Sequence, residues 1–170
     1  NLYAKPYAKL DEQKDWVKEL FPHQHSGVIS IKDKLDSYGT AVLADGVGLG
    51  KTRIAGGVMR LYKDDSAPYK TLIVADKKLK TQWAEELDVC GIESGDYDWM
   101  SREEFVNTPW NQIKVMKYSL VIIDEAHIGF KNNNTQAYQK IRWLKDQHPE
   151  LRGLMITATP WNNRREDVIN

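Results

Sequence analysis

Cysteine is almost missing from this chain: Cys90 is the only one among 170 residues. A single thiol excludes an intramolecular disulfide framework, and no Cys/His spacing offers a structural zinc site, so an intracellular, cytoplasmic setting is expected. Long apolar runs are lacking as well. None approaches the roughly 20 residues that a bilayer requires, so no membrane partner is expected. The opening stretch NLYAKPYAKLDEQKDW has no basic segment followed by an apolar one, so no secretion signal is expected. The missing initiator Met fits an excised segment. Neither sign of charge is in excess, because 24 basic and 24 acidic residues cancel to a net charge of zero. Proteins that hold nucleic acid through bulk charge are usually basic, so such a partner has to be argued from local motifs. Repeats and low-complexity tracts are absent too.

What is present is an ordinary globular composition, 41% hydrophobic and 28% charged, in a length that suits one domain. Four short runs are apolar without alternation: AVLA (41–44), TLIVA (71–75), SLVIID (119–124) and GLMITA (153–158). Such runs are expected of strands covered on both faces of a parallel sheet. Helical stripes lie between them: Val28, Ile31 and Leu35; Ile54, Val58 and Leu61; Leu79, Trp83, Leu87 and Cys90; Ala137, Ile141 and Leu144. Alternating strands and helices predict an α/β fold with a mainly parallel central sheet. Right-handed crossovers then collect the strand C-termini along one edge, where ligands bind. In 91–118, GDYDWMSREEF predicts a short strand and a helix starting near Ser101, and NTPWNQ a loop. KNNNT (131–135) predicts a turn before a helix capped by Asn134 or Thr135.

Three of the strand ends carry chemistry. After the first comes LADGVGLGKT (43–52), which fits a phosphate-binding loop in Gly50, Lys51 and Thr52 but has Asp45 where the general pattern has glycine. Backbone N–H groups and the following helix N-terminus cradle phosphate oxygens. Gly46 and Gly48 supply the backbone freedom that the first glycine usually gives. Lys51 offers a point charge and Thr52 a hydroxyl ligand for Mg²⁺. After the third strand comes VIIDEAH (121–127). Asp124 is placed to aim an oxygen at Mg²⁺, and Glu125 to take a proton from attacking water. Thr157 to Pro160 follow the fourth strand. Lone versions of either motif have bland readings, a glycine-rich turn or two acidic residues at a strand end. Together, on independently read strands, they do not.

This order of motifs resembles the N-terminal RecA-like ATPase domain of superfamily-two helicases and translocases, most closely their Swi/Snf-related branch. LADGVGLGKT is similar to that branch's LADEMGLGKT, which carries Asp at the position of Asp45; Gly46 and Val47 are departures. LFPHQHSGV resembles the adenine-sensing Q motif, TLIVADKKLKTQW motif Ia with Asp76 for the usual Pro, YSLVIIDEAH motif II, and GLMITATPWNN motif III. The resemblance covers about residues 20–165. It implies a three-layer RecA-like P-loop domain, with N-terminal helices and the Q motif over 1–38 and the P-loop core over 39–170.

By the same resemblance, Gln24 would read adenine. Asp45, Gly46, Val47, Gly48, Leu49, Gly50, Lys51, Thr52 and Arg53 would bind the nucleotide, with Thr52 and Asp124 on Mg²⁺. Glu125, Lys51 and Asp124 would be catalytic. His127, Thr157 and Thr159 would couple nucleotide state to nucleic acid, and Lys77 and Lys78 would contact its phosphates; the bland reading of those lysines is a solvated face. ATP and Mg²⁺ are the implied cofactors, and nucleic acid, DNA foremost, the implied partner. The arginine finger of such motors lies on a second RecA-like domain, absent from this chain; Arg164 and Arg165, on the same domain as the loop, are poor substitutes. A nucleotide-gated docking module without catalysis, or a metabolic P-loop ATPase, are the competing readings. The oligomeric state is open.

Overall fold

Strand and helix alternate as the apolar pattern requires. A computed structural model describes residues 9–44, 50–65, 69–113, 117–125 and 131–157, with backbone alone for Trp110, Glu125 and 131–138. The helices are α1 (Asp15–Lys18), α2 (Pro22–Tyr38), α3 (Lys51–Asp65), α4 (Lys80–Val89), α5 (Arg102–Asn107) and α6 (Lys131–Gln147). The strands are β1 (Thr40–Ala44), β2 (Thr71–Val74), β3 (Tyr97–Met100), β4 (Leu120–Glu125) and β5 (Arg152–Thr157). The five strands form one sheet in the order β1-β5-β4-β2-β3, and every pairing is parallel.

Two apolar clusters show why there are three layers. On one face, Ala41, Leu43, Ile73, Ile122, Leu154 and Ile156 meet α2, α3 and α4 through residues such as Val28, Leu35, Val58, Trp83 and Leu87. On the other, Leu72, Val74, Val121, Ile123 and Met155 meet Phe105 of α5 and Ile141 and Leu144 of α6. Alternation of side chains along each strand sends neighbours to opposite layers. Each large apolar side chain so buried contributes about 1.5–3 kcal/mol. The stripes of α2, α3 and α4 therefore face the core as expected, and Ser101 caps α5 by accepting the N–H of Glu104 at 3.0 Å.

The structure corrects two expectations. Strand β1 is not covered on both faces: its burial alternates, and Val42 is 51% exposed. It lies at the end of the described sheet, and the described helices that pack on it cover only its Ala41 and Leu43 face. Helix α6 begins at Lys131, so Asn134 and Thr135 lie inside it rather than at its N-cap. Once a helix is anchored by packing, adding a residue is much easier than nucleating one, and the buried stripe at Ile141 and Leu144 supplies that anchor.

Helix α3 crosses α2 closely enough to require glycine at one point. A Cβ on Gly57 would stand 2.6 Å from Val28 Cγ2 and 3.3 Å from Trp16 Cζ3. That contact fixes where the N-terminus of α3 lies relative to the start of α2, and so positions the site.

Candidate nucleotide site

The register of the sheet brings three motif ends into one row. Ala44 at the end of β1 pairs with Thr157 at the end of β5. Thr157 pairs in turn with Glu125 at the end of β4. The strand entering the glycine-rich segment and the strand carrying the acidic pair are thus two sheet spacings apart, about 10 Å, with Thr157 between them. Nothing in the spacing of residues along the chain gives this order; it follows from β5 inserting between β1 and β4.

Gly50 stands at the start of α3 with φ of 81°, in the left-handed region that disfavours other residues. Its carbonyl accepts the N–H of Ile54 at 2.9 Å, opening the helix. Lys51 is the first residue of α3 and is only 7% exposed, and Thr52 follows it. Gln24, 3% exposed, sits in the first turn of α2, where its Oε1 accepts the N–H of Phe21 at 2.8 Å. The amide Nε2 of the same side chain lies where a Cβ on Gly50 would go. The glutamine and the last loop glycine are therefore in direct register, although 26 positions separate them in the sequence.

Arg53 has a structural engagement. Its Nε and second guanidinium nitrogen donate to the two carboxylate oxygens of Glu86 at 3.0 and 3.1 Å, a two-pronged pair. Its remaining nitrogen donates to the carbonyl of Glu19 at 3.1 Å. The residue thus fastens α3 to α4 and to the end of α1. Cys90 is fully buried beside this contact, and burial pushes its thiol up to about 12.

Asp124 is 6% exposed and receives the indole N–H of Trp83 on Oδ2 at 3.1 Å. Sequence reasoning places Trp83 in the core stripe of α4 and at the end of the stretch that resembles motif Ia, and gives it no role toward Asp124. A buried indole usually finds an acceptor, and that tendency is the signal that could have led to this contact. Thr157 is buried at the end of its strand. Lys77 and Lys78 are exposed in a 3-10 turn between β2 and α4. Asp76, unexpected where the resembled motif has Pro, accepts the N–H of Lys78 at 2.9 Å and so caps that turn. A cleft of about 670 Å³ beside it is lined by Asp76, Lys77, Arg102, Glu103 and Glu104, so its charge is mixed. Asp45, Gly46, Val47, Gly48, Leu49, His127 and Thr159 lie outside the described residues, as do Arg164 and Arg165.

No family model matches the chain. It is 35% identical over 162 residues to the uncharacterized ATP-dependent helicase YqhH of Bacillus subtilis, covering 88% of this chain and 28% of that protein. It is 27% identical over 190 residues to the mouse DNA annealing helicase and endonuclease ZRANB3, covering 98% of this chain and 17% of that protein. The chain thus spans less than a third of either relative. Among solved structures, the Sulfolobus solfataricus SWI2/SNF2 ATPase core in complex with dsDNA superposes with a TM-score of 0.62 at 20% identity, covering 95% of this chain and 35% of that one. The UvsW helicase from bacteriophage T4 superposes with a TM-score of 0.57 at 12% identity, covering 84% of this chain and 57% of that one. Sequence relatives and fold agree: this chain belongs with the SNF2-type ATP-dependent helicases of superfamily two and has the RecA-like fold of their ATPase cores.

Proposed function

We propose that this chain is the nucleotide-binding half of an ATP-driven translocase that acts on duplex DNA. The observation that carries the reading is the row Ala44–Thr157–Glu125, with Lys51 opening the helix that follows β1. In it, the backbone at Gly50, the N-terminus of α3 and Lys51 hold the phosphates. Glu125 orients the attacking water and takes its proton. Gln24 contributes to the adenine end, and Thr157, between the two motif strands, senses their separation together with His127 and Thr159.

Thr52 and Asp124 would hold Mg²⁺. A hydroxyl and a carboxylate are hard oxygen donors, and magnesium is usually held by one or two carboxylates with phosphates and waters completing its shell. Among the described residues there is no group of three or more His, Cys, Asp or Glu that could form an all-protein cage, which suits that arrangement. Bound Mg²⁺ supplies charge stabilisation at the phosphate oxygens.

Duplex DNA is favoured because the archaeal SWI2/SNF2 neighbour was solved with dsDNA. Lys77 and Lys78, exposed on the turn after β2, are the contacts proposed for its phosphates. The arginine finger, worth on the order of 10³–10⁵ in rate, comes in this reading from a second RecA-like domain of the parent protein, and the setting is intracellular.

The test is the ATPase rate of the full-length parent protein alone and with duplex DNA, single-stranded DNA or RNA. Stimulation greatest with duplex DNA is expected. Lys51→Ala should abolish nucleotide binding, and Glu125→Gln should bind ATP without turning it over. Unchanged turnover in Glu125→Gln would refute the assignment of the base, and equal rates with and without every polymer would refute the translocase.

A further inference from the structure

We infer that Trp83 is a positioning residue for hydrolysis: its indole N–H holds the Asp124 carboxylate in one orientation and ties it to the helix that follows β2. The inference rests on the nucleotide-site reading above. Trp83 is 1% exposed, and its Nε1 donates to Asp124 Oδ2 at 3.1 Å across 41 residues of sequence. Burial alone does not account for the pairing. Trp16 and Trp99 also bury their indole nitrogens, and among the described residues neither finds a partner, so burial of an indole does not by itself bring it to a carboxylate here.

The chemistry of the donor matters. An indole N–H donates and cannot accept, so it fixes one carboxylate oxygen against rotation. It also carries no charge. A lysine or arginine in its place would add a positive charge that competes with a metal cation for Asp124, whereas a neutral donor orients the group without adding one. The ring is itself held, because Trp99 packs edge-on against it with centroids 6.2 Å apart and planes at 72°. The helix gives the contact its second consequence. Lys77 and Lys78 lie in the turn that runs directly into α4, and Trp83 is about one helical turn further on, roughly 5 Å. A shift of that turn on docking of a polyphosphate backbone is delivered to Asp124 by a rigid element.

The test uses the full-length parent protein and Trp83→Phe, which removes the N–H and keeps an aromatic ring. The turnover number should fall at least about tenfold, the lower end for a lost hydrogen bond to a charged group, with KM for ATP unchanged. The Mg²⁺ concentration that half-saturates binding of a fluorescent ADP analogue should rise severalfold, while Mg²⁺-free binding is unchanged. Trp99→Phe disturbs the same packing and not the bond, and should alter neither quantity. Thermal melts report folding, and Trp83→Tyr is the second variant should phenylalanine not be accepted. A Trp83→Phe protein with normal turnover and Mg²⁺ dependence overturns the inference. So does an equal loss in Trp99→Phe, which would make the role one of packing. Loss of the site reading is separable: it would appear as nucleotide binding retained in Lys51→Ala, whatever Trp83 does.

Discussion

Replacing Gly50 with alanine tests the junction between the start of α2 and the start of α3. At φ of 81° a side chain costs about 1–2 kcal/mol. The new Cβ would also run into Gln24 Nε2, with Gln24 Cδ next at 3.3 Å. Glutamine is long and flexible, so the overlap is relieved by swinging it away rather than by moving backbone. That swing breaks the bond its Oε1 accepts from Phe21 N–H, a further loss of about 1 kcal/mol. The sum is about 2–3 kcal/mol, or roughly 4–12 °C in Tm at 2–4 °C per kcal/mol for a chain of this size. Gln24→Ala alone should cost only about 1 kcal/mol. The double variant should be no worse than Gly50→Ala, because the same hydrogen bond is lost only once. The expected coupling of about 1 kcal/mol stands clear of the 0.3–0.5 kcal/mol within which independent sites add. Urea and thermal melts of the four proteins measure it, and ADP-induced protection should be reduced in both Gly50→Ala proteins. Strict additivity would refute the contact, and an unchanged Tm for Gly50→Ala would refute the left-handed backbone.

Three further outcomes are expected. Gly57→Ala should destabilise: helix propensity favours alanine by about 1 kcal/mol, but the Cβ meets the stiff, branched Val28 at 2.6 Å, and overpacking costs about 1–3 kcal/mol; a raised urea midpoint would contradict this. Cys90, with its thiol pushed up to about 12 by burial, should react with an alkylating probe at pH 8 only as fast as the protein opens, and rapid labelling of the native state would contradict that. Acid should weaken the fold. Burial raises Asp36, Asp96 and Asp98, but bonds from Lys32 and Tyr62, from Lys63 and the Glu93 N–H, and from Tyr118 and Lys117 outweigh it and hold them below the usual 3.8. A depressed folded value means their contribution is complete above the ordinary carboxylate range and lost as pH falls through the lower folded values. The gap in urea midpoint between the wild type and Asp36→Asn should therefore be constant above about pH 5 and narrow progressively as pH falls below 3.8; a gap that does not narrow in acid would refute the linkage.

Much of this was legible because each reading rested on a local rule. Continuous apolar runs gave the strands, since covered strands need no polar face. The stripe at Val28, Ile31 and Leu35 gave α2, and the stretch GDYDWMSREEF gave β3 and a start for α5 near Ser101. Failures came where tertiary context decides. Val42 reads like its neighbours in AVLA, and only the position of β1 in the sheet shows that one of its faces is open. The asparagines at 132–134 read as a turn, yet they lie within a helix anchored further along. The grip of Arg53 on Glu86 joins residues 33 positions apart, beyond the reach of any local rule. The Trp83–Asp124 bond joins two elements distant in sequence, which no window along the chain can span.

The order of the strands adds a constraint on how such a site could report its state. Strand β5 is hydrogen-bonded to β1 on one side and to β4 on the other. Any change in the separation of the loop after β1 from the acidic pair on β4 must pass through β5, because ladder spacing is nearly fixed. Thr157 is the residue of β5 paired with both ends at once. Asp124 is meanwhile gripped from α4, a helix of the layer that also holds α3. The glycine-rich end and the acidic end are thus linked twice, through the sheet at Thr157 and through the helical layer by Arg53–Glu86 and Trp83–Asp124. A structure joined by two independent routes resists being opened at one alone. A partner that acts on this site therefore has to move the helical layer against the sheet, and the turn carrying Lys77 and Lys78 lies at the junction of the two.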